Sequence, residues 1–361
     1  MKKFVTVLFV VCAILVFSTW QYRLLCLLLV VLMNRSWFKR RWPQLYPFLT
    51  WGLALAIFIA IPNYFQRGRS QLIYLSDKGE RISAPLSVYA INALLPEEEL
   101  MNAGMKLTAI LPPASLSPVF KNLGSRFIRD AQKDFWNGMV LTFYAPYNRL
   151  SLQGSNPGSF VIAQTMNETF GTDYDGIYVT KPRNYDSAKS YPVVFFAHGY
   201  LGNWEMYQGL LSRLEDCLVV SIGTKDLSGI FGHHDIQKIF NRYLPYLEAE
   251  GFHIDKKDLH LIGLSNGGSA SNVALRSFSN QFKTITYIST SCDVIKKSKA
   301  KIIMIGGGKD ASSAGLPSAA HRLRKCGTNV ALLFDGDDNH YMMVHQTESI
   351  FEFLNQEIVG L

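Results

Sequence analysis

Ser265, Asp310 and His340 are the residues whose types and spacing could do covalent chemistry. Ser265 sits in Gly263-Leu264-Ser265-Asn266-Gly267-Gly268. A serine flanked at two residues on either side by glycine is the pattern of a sharp strand-to-helix turn that holds a hydroxyl clear of both elements. The glycines remove side chains that would collide where the chain doubles back. A serine hydroxyl is a weak nucleophile at neutral pH and needs a base. His340 can supply it, following an apolar run and the Asp335-Gly336-Asp337-Asp338-Asn339 loop. Asp310, after Gly306-Gly307-Gly308-Lys309, would hold the imidazole tautomer and stabilise the imidazolium. Asp293 is the rival acid and His345 the rival base. His340 is preferred because His345 reads as the start of the terminal helix. Asp335, Asp337 and Asp338 read as a solvated acidic turn.

The elements that must carry these groups are short apolar runs. Tyr191 to Phe196 reads as a buried strand running into Ala197-His198-Gly199-Tyr200, and Leu259 to Leu264, Lys301 to Ile305 and Val330 to Phe334 read as three more. Strands near Tyr178, Val219 and Ile285 complete an alternation with helical stretches, among them Asp235 to Glu250. Such alternation predicts an α/β fold with a mostly parallel sheet covered on both faces. Parallel connections bring the active loops to the carboxyl ends of the strands, where Ser265, Asp310 and His340 all arrive. The backbone N–H groups of Tyr200 and Asn266 are placed to form an oxyanion hole.

With these motifs in hand, residues Gly158 to Leu361 resemble the α/β-hydrolase family, whose triad order is Ser, Asp, His. The Gly-Leu-Ser-Asn-Gly-Gly form resembles the polyester-depolymerase-like and feruloyl-esterase-like serine esterases, and also the Gly-x-Ser-x-Gly-Gly of prolyl-oligopeptidase-type peptidases. The resemblance implies an α/β-hydrolase fold and a serine hydrolase that needs no cofactor and no metal. A small-molecule, lipid or glycan ester is the expected substrate. Acyl transfer, peptide hydrolysis and a non-catalytic scaffold are the alternatives.

Charge divides the chain. Residues 1–70 hold nine Lys or Arg and no acid, and the remainder holds 27 basic against 28 acidic residues. The overall +8 therefore reports the N-terminus and gives no sign of a nucleic-acid face. Three apolar runs occur there, Phe4–Trp20, Leu24–Met33 and Leu49–Ile61, with Trp20, Tyr22, Trp37, Trp42, Tyr46 and Trp51 as interfacial aromatics. No small-x-small cleavage site follows the first run, which predicts a retained anchor. Arg35, Lys39, Arg40 and Arg41 between the second and third runs favour the cytoplasmic side, leaving the domain outside.

The expected organisation is thus residues 1–65 as a membrane anchor of two or three transmembrane helices, 66–157 as a linker or lid-like segment, and 158–361 as the catalytic domain. In the middle segment, Pro96 marks a helix start, Ser117–Trp136 a helix and Val140–Tyr144 a strand. Cys217, Cys292 and Cys326 lack any C-x-x-C pairing and read as buried thiols. His233-His234 lacks a third ligand at useful spacing, so it reads as loop rather than metal site. His198 reads as structural. Trp204 and Tyr207 are candidates to line an acyl or leaving-group pocket. Oligomeric state has no signature.

Overall fold

A computed structural model describes Thr6 and residues 20–60, 70–76, 78–82, 174–199, 208–224 and 229–360. The expected elements at Pro96, Ser117–Trp136 and Val140–Tyr144, the Asn148–Gly158 boundary, Trp204 and Tyr207 all lie outside these residues, as does nearly all of the first apolar run.

The N-terminal part forms α1 (Trp20–Met33), α2 (Arg35–Arg41) and α3 (Leu45–Ala60). Helices α1 and α3 pack along each other, with α2 between them in sequence. They contain the second apolar run and the third as far as Ala60, and Phe48 and Trp51 are each 77% exposed. Among the described residues, no helix is long and apolar enough to cross a membrane. The helices α1 and α3 span 14 and 16 residues, against the 20 or so needed to cross the hydrocarbon.

The rest is built on a nine-stranded sheet of β1 (Ser70–Ser76), β2 (Arg81–Ile82), β3 (Tyr174–Thr180), β4 (Tyr191–Ala197), β5 (Leu218–Ile222), β6 (Ile254–Leu264), β7 (Thr284–Ile288), β8 (Lys301–Gly307) and β9 (Val330–Asp335). Their order is β2-β1-β3-β5-β4-β6-β7-β8-β9. The run from β5 to β9 is parallel, and β1, β2 and β3 add an antiparallel edge. Every strand expected within the described residues is present. The sheet also begins earlier than the expected boundary at 157/158, because residues 70–82 of the middle segment supply β1 and β2. Ile73 and Leu75, two apart on β1, are both buried, which is how one face of a strand joins a core.

Side-chain alternation divides the interior into two layers. On one face Val193, Phe195, Val220, Leu261, Ile285 and Met304 pack with Ile236, Leu247, Leu275 and Leu323. These last four come from α5 (His233–Lys238), α6 (Leu244–Ala249), the turn Ala274–Phe278 after α7 (Gly268–Val273), and α8 (Leu316–Lys325). On the other face Val194, Phe196, Val219, Ile262, Ile288 and Ile303 pack with Leu211, Ile350, Phe351 and Leu354. Those residues come from α4 (Gln208–Leu211) and from the C-terminal helix Thr347–Ile358. Burial of both faces explains why β4 and β5 are apolar nearly throughout. Cys217 and Cys292 are buried free thiols as expected. Cys326 departs from that expectation, because it caps the C-terminus of α8 and is exposed.

The strand order reverses between β4 and β6, since β5 lies on one side of β4 and β6 on the other. In an open parallel sheet the crevice outside the carboxyl ends at such a reversal is where ligands bind. Ser265 follows β6 at that point.

Candidate active site

Ser265 opens a single 3-10 turn, Ser265–Gly267, between β6 and α7. Its φ is +54°, a left-handed conformation that costs a non-glycine residue roughly 1–2 kcal/mol. The strain persists because the surroundings leave no alternative. A Cβ on Gly267 would lie 2.2 Å from the Ala197 carbonyl oxygen, and one on Gly263 would lie 2.4 Å from the Gly267 carbonyl oxygen. The turn is therefore pressed against the end of β4. Two hydroxyls pin it. Ser271 Oγ donates to the Thr286 carbonyl at 2.7 Å. Ser269 Oγ donates to the Asn266 carbonyl and accepts from the Phe231 N–H, both at 2.8 Å.

Ser265 Oγ lies 2.9 Å from His340 Nε2. His340 Nδ1, on the far side of the ring, stands 3.1 Å from Asp310 Oδ2. The three expected residues are thus brought into one row. The carboxylate is 2% exposed and the imidazole 9%. Burial alone would raise the Asp310 pKa. The His340 ring, the Ser313 hydroxyl and the Ser312 N–H outweigh it, and the carboxyl lies below its ordinary value. In the tautomer that carries its proton on Nδ1, beside the carboxylate, Nε2 is left to accept the serine proton.

Asp293, the rival acid, is exposed and engaged elsewhere. Its N–H donates to Asn272 Oδ1 at 3.0 Å, and its carboxylate accepts from Asn272 Nδ2 at 3.4 Å. His345 ends the short helix Met342–His345 beyond His340.

The acid and base turns are zipped together by their backbones. Gly308 N–H donates to the Asp335 carbonyl at 2.8 Å, and Lys309 N–H to the Asp338 carbonyl at 2.9 Å. Gly307 permits this approach, because a Cβ there would fall 2.2 Å from the Asp338 oxygen. The acidic turn is more than solvated surface. Gln346 Nε2 donates to Asp335 Oδ2 at 2.7 Å and to Asp338 Oδ2 at 3.0 Å, and Asp338 is 9% exposed. The Asp337 N–H and the Gln346 amide hold the Asp335 carboxyl below its usual range.

Two positioning residues escape sequence reasoning. Ser313, fully buried, donates to Asp310 Oδ2 at 2.7 Å and accepts from the Gly307 N–H at 3.1 Å. Gln346 clamps the histidine turn. The only sequence signal for Ser313 is its place three residues after an aspartate in a Gly/Ser turn.

Of the two expected oxyanion donors, Asn266 follows Ser265 in the turn, whereas Tyr200 lies outside the described residues. The adjoining loop is fixed by His198. It is fully buried, with Nδ1 donating to the Gly199 carbonyl at 2.9 Å and the ring edge-on to Phe231. Burial pushes its pKa down to about 4. His233 and His234 are exposed on α5, and His233 packs on Phe278 at 4.8 Å. No cluster of three metal-ligating side chains occurs among the described residues.

No protein-family model matches the sequence, and no curated protein matches it. Solved structures similar to it include the acylaminoacyl peptidase of Pyrococcus horikoshii, at 17% identity and TM-score 0.41, covering 51% of this chain and 40% of that one. The feruloyl esterase module of Clostridium thermocellum is similar at 14% identity and TM-score 0.43, covering 51% and 83%. A CE1 ferulic acid esterase of Anaeromyces mucronatus is similar at 15% identity and TM-score 0.40, covering 51% and 85%. The chain spans 40% of the peptidase's length. By its own sheet order and its serine turn after β6, the chain has the α/β-hydrolase fold.

Proposed function

We propose that this protein is a membrane-anchored serine hydrolase that cleaves a carboxylic ester. The observation that carries the proposal is the row Ser265 Oγ, His340 and Asp310 on a positive-φ turn at the sheet's reversal point. In this reading Ser265 Oγ bonds to the ester carbonyl carbon as its proton passes to His340 Nε2. The tetrahedral oxyanion is held by the N–H groups of Asn266 and Tyr200. His340 returns the proton to the departing alkoxide, the C–O bond breaks, and an acyl-Ser265 ester remains. Water, deprotonated by His340, then releases the acid. Asp310 keeps the ring oriented throughout.

The anchoring part rests on the N-terminal helices. Arg35, Lys39, Arg40 and Arg41 are exposed on α2 beside Trp37 and Trp42, and Phe48, Leu49 and Trp51 on α3 are exposed. Bare apolar faces joined by a cationic, aromatic turn are what a bilayer and its interface stabilise. The basic turn lies in the cytoplasm and the hydrolase domain outside it.

Hydrolysis of a panel of short- and long-chain p-nitrophenyl esters, alongside peptide amides, tests the chemistry. Ester turnover is expected, and amide turnover without ester turnover would contradict it. Protease added to intact spheroplasts should reach the domain after Gln66. Protection until lysis would contradict the topology, and recovery as a soluble, N-terminally cleaved form would contradict the anchor.

A further inference from the structure

The edge of the sheet opposite Ser265 has its own character. Ser70 pairs with Thr180, Thr180 with Val219, Val219 with Val194, Val194 with His260, His260 with Thr284, and Thr284 with Lys301. This is one lateral row near the amino ends of the parallel strands. The chain enters the domain on that row, at Ser70, after residues 61–69 have followed α3. Nine residues reach at most about 30 Å. The linker therefore holds this edge within about 30 Å of the end of α3, and the catalytic edge lies a strand length, roughly 20 Å, beyond the point of attachment.

The same edge gathers cations. Lys256 and Lys257 lie on the outer part of β6, Lys283 precedes β7, and Lys297 and Lys299 precede β8, all exposed. Helix α8 runs back to this edge and ends in exposed Arg322, Arg324 and Lys325, with Gly327 beside the Lys297 stem. Glu248 pairs with Lys256 at 2.8 Å and Asp258 with Lys283 at 2.7 Å. Asp255 adds an exposed acid and Glu250 another, paired with Arg81 at 3.8 Å, and exposed Glu215 and Asp216 precede β5 farther along this edge. Lys257, Lys297 and Lys299 have no ion-pair partner among the described residues. Between them lies a groove of about 580 Å³, with Phe240 and Phe282 in its wall and Lys256, Lys257, Lys283 and Lys299 on its rim. The catalytic edge shows exposed Asp293 and Asp337 in contrast, with exposed Lys309 paired to Asp337 at 3.0 Å. A domain that is near-neutral in total thus has a basic edge on its tethered side.

We propose that this basic edge, centred on the Phe240–Phe282 groove, docks on the phosphate headgroups of an anionic phospholipid bilayer and holds Ser265 on the side away from it. The proposal rests on the anchoring in the function proposed above. A tether that ends on this edge and cations spread across several strands favour a planar anionic partner over a compact one. Each surface cation strengthens such contact roughly fivefold. The enzyme would then take its ester from the aqueous side rather than lift it from the bilayer beneath.

Cys326, exposed beside the patch, is the place to measure it, since Cys26, Cys217 and Cys292 are buried. The full chain, with Cys12→Ser, is labelled there with a fluorophore and reconstituted in nanodiscs containing headgroup-quencher lipid. Quenching is expected in phosphatidylglycerol–phosphatidylcholine discs. It should be lost in phosphatidylcholine discs, in high salt, and in the Lys257→Glu/Lys297→Glu/Lys299→Glu variant, whose hydrolysis of p-nitrophenyl acetate stays unchanged. Equal quenching in neutral and anionic discs, or in the triple variant, overturns the proposal. So does salt-sensitive RNA binding at the patch without any response to lipid charge. A chain that stays soluble and enters no disc refutes the anchoring alone. Sedimentation with anionic vesicles then decides the edge: salt-sensitive binding lost in the triple variant supports it, and no binding overturns it.

Discussion

Ser313 Oγ donates a 2.7 Å hydrogen bond to the carboxylate oxygen of Asp310 that faces His340. One buried hydroxyl therefore decides where the acid's Oδ2 sits, and through it the angle of the imidazole. Hydrogen bonds to charged groups contribute about 1.5–3 kcal/mol. Ser313→Ala should lower kcat by roughly tenfold or more with little change in KM. The acid limb of the pH–rate profile should move upward as the carboxylate loses a donor, and Ser313→Thr should restore part of both. An unchanged profile with only a lower melting temperature would leave Ser313 a packing residue.

The acid itself is separable from its rival. Asp310→Asn should leave the fold intact and cut kcat by about 10⁴, because the amide cannot hold the productive tautomer. Asp293→Asn, which disturbs only the contact with Asn272, should stay within about twofold of the parent. Steady-state kinetics on both variants check this, and the reverse ranking would move the acid to the loop after β7.

How much of this was legible in the sequence follows from how local each signal is. The serine turn is a local steric problem, so its glycines disclose it, and the apolar runs disclose β4, β6, β8 and β9. Ser265, Asp310 and His340 could be grouped because each follows a strand of the parallel sheet. Ser313 and Gln346 were hidden, since their value depends on a turn and a loop meeting across β8 and β9. Strand β1 was hidden for a related reason. Its partner β3 lies about 100 residues further on, and a short strand of Leu72, Ile73, Tyr74 and Leu75 between polar ends carries no local mark of that pairing. The aspartates after β9 read as solvent-facing because their acceptor role appears only once Gln346 arrives from the next helix.

Ser289 repeats the left-handed geometry of Ser265 one strand over, at φ +50° after β7, and its buried Oγ has no hydrogen-bond partner among the described residues. Glycine there removes the strain and the unsatisfied hydroxyl, at the cost of greater freedom in the unfolded chain. Ser289→Gly should therefore stabilise the domain by about 1 kcal/mol. Thermal or urea unfolding checks it, and a loss of stability would show that the side chain is held by something other than backbone geometry.

His198 makes stability depend on pH. Its folded pKa of about 4 lies below the ordinary 6.5 because the ring is buried. Between those values the unfolded state binds the extra proton, so stability should fall as pH drops from 6.5 toward 4, by on the order of 3 kcal/mol from this residue. Asp310, depressed below the usual 3.8, adds a further loss only in stronger acid. His198→Asn should reduce the slope of the first region, where burial also lowers His260, while leaving the second, as followed by denaturant midpoints across pH. A variant with the parental slope would assign the proton elsewhere.

The most direct test of the central claim is labelling by a fluorophosphonate, followed by mass spectrometry of the modified peptide. The account predicts one phosphonyl adduct, on Ser265, abolished in Ser265→Ala and slowed by orders of magnitude in His340→Ala, with ester turnover lost in parallel. Labelling at another serine, or ester turnover by Ser265→Ala at the parental rate, would contradict it.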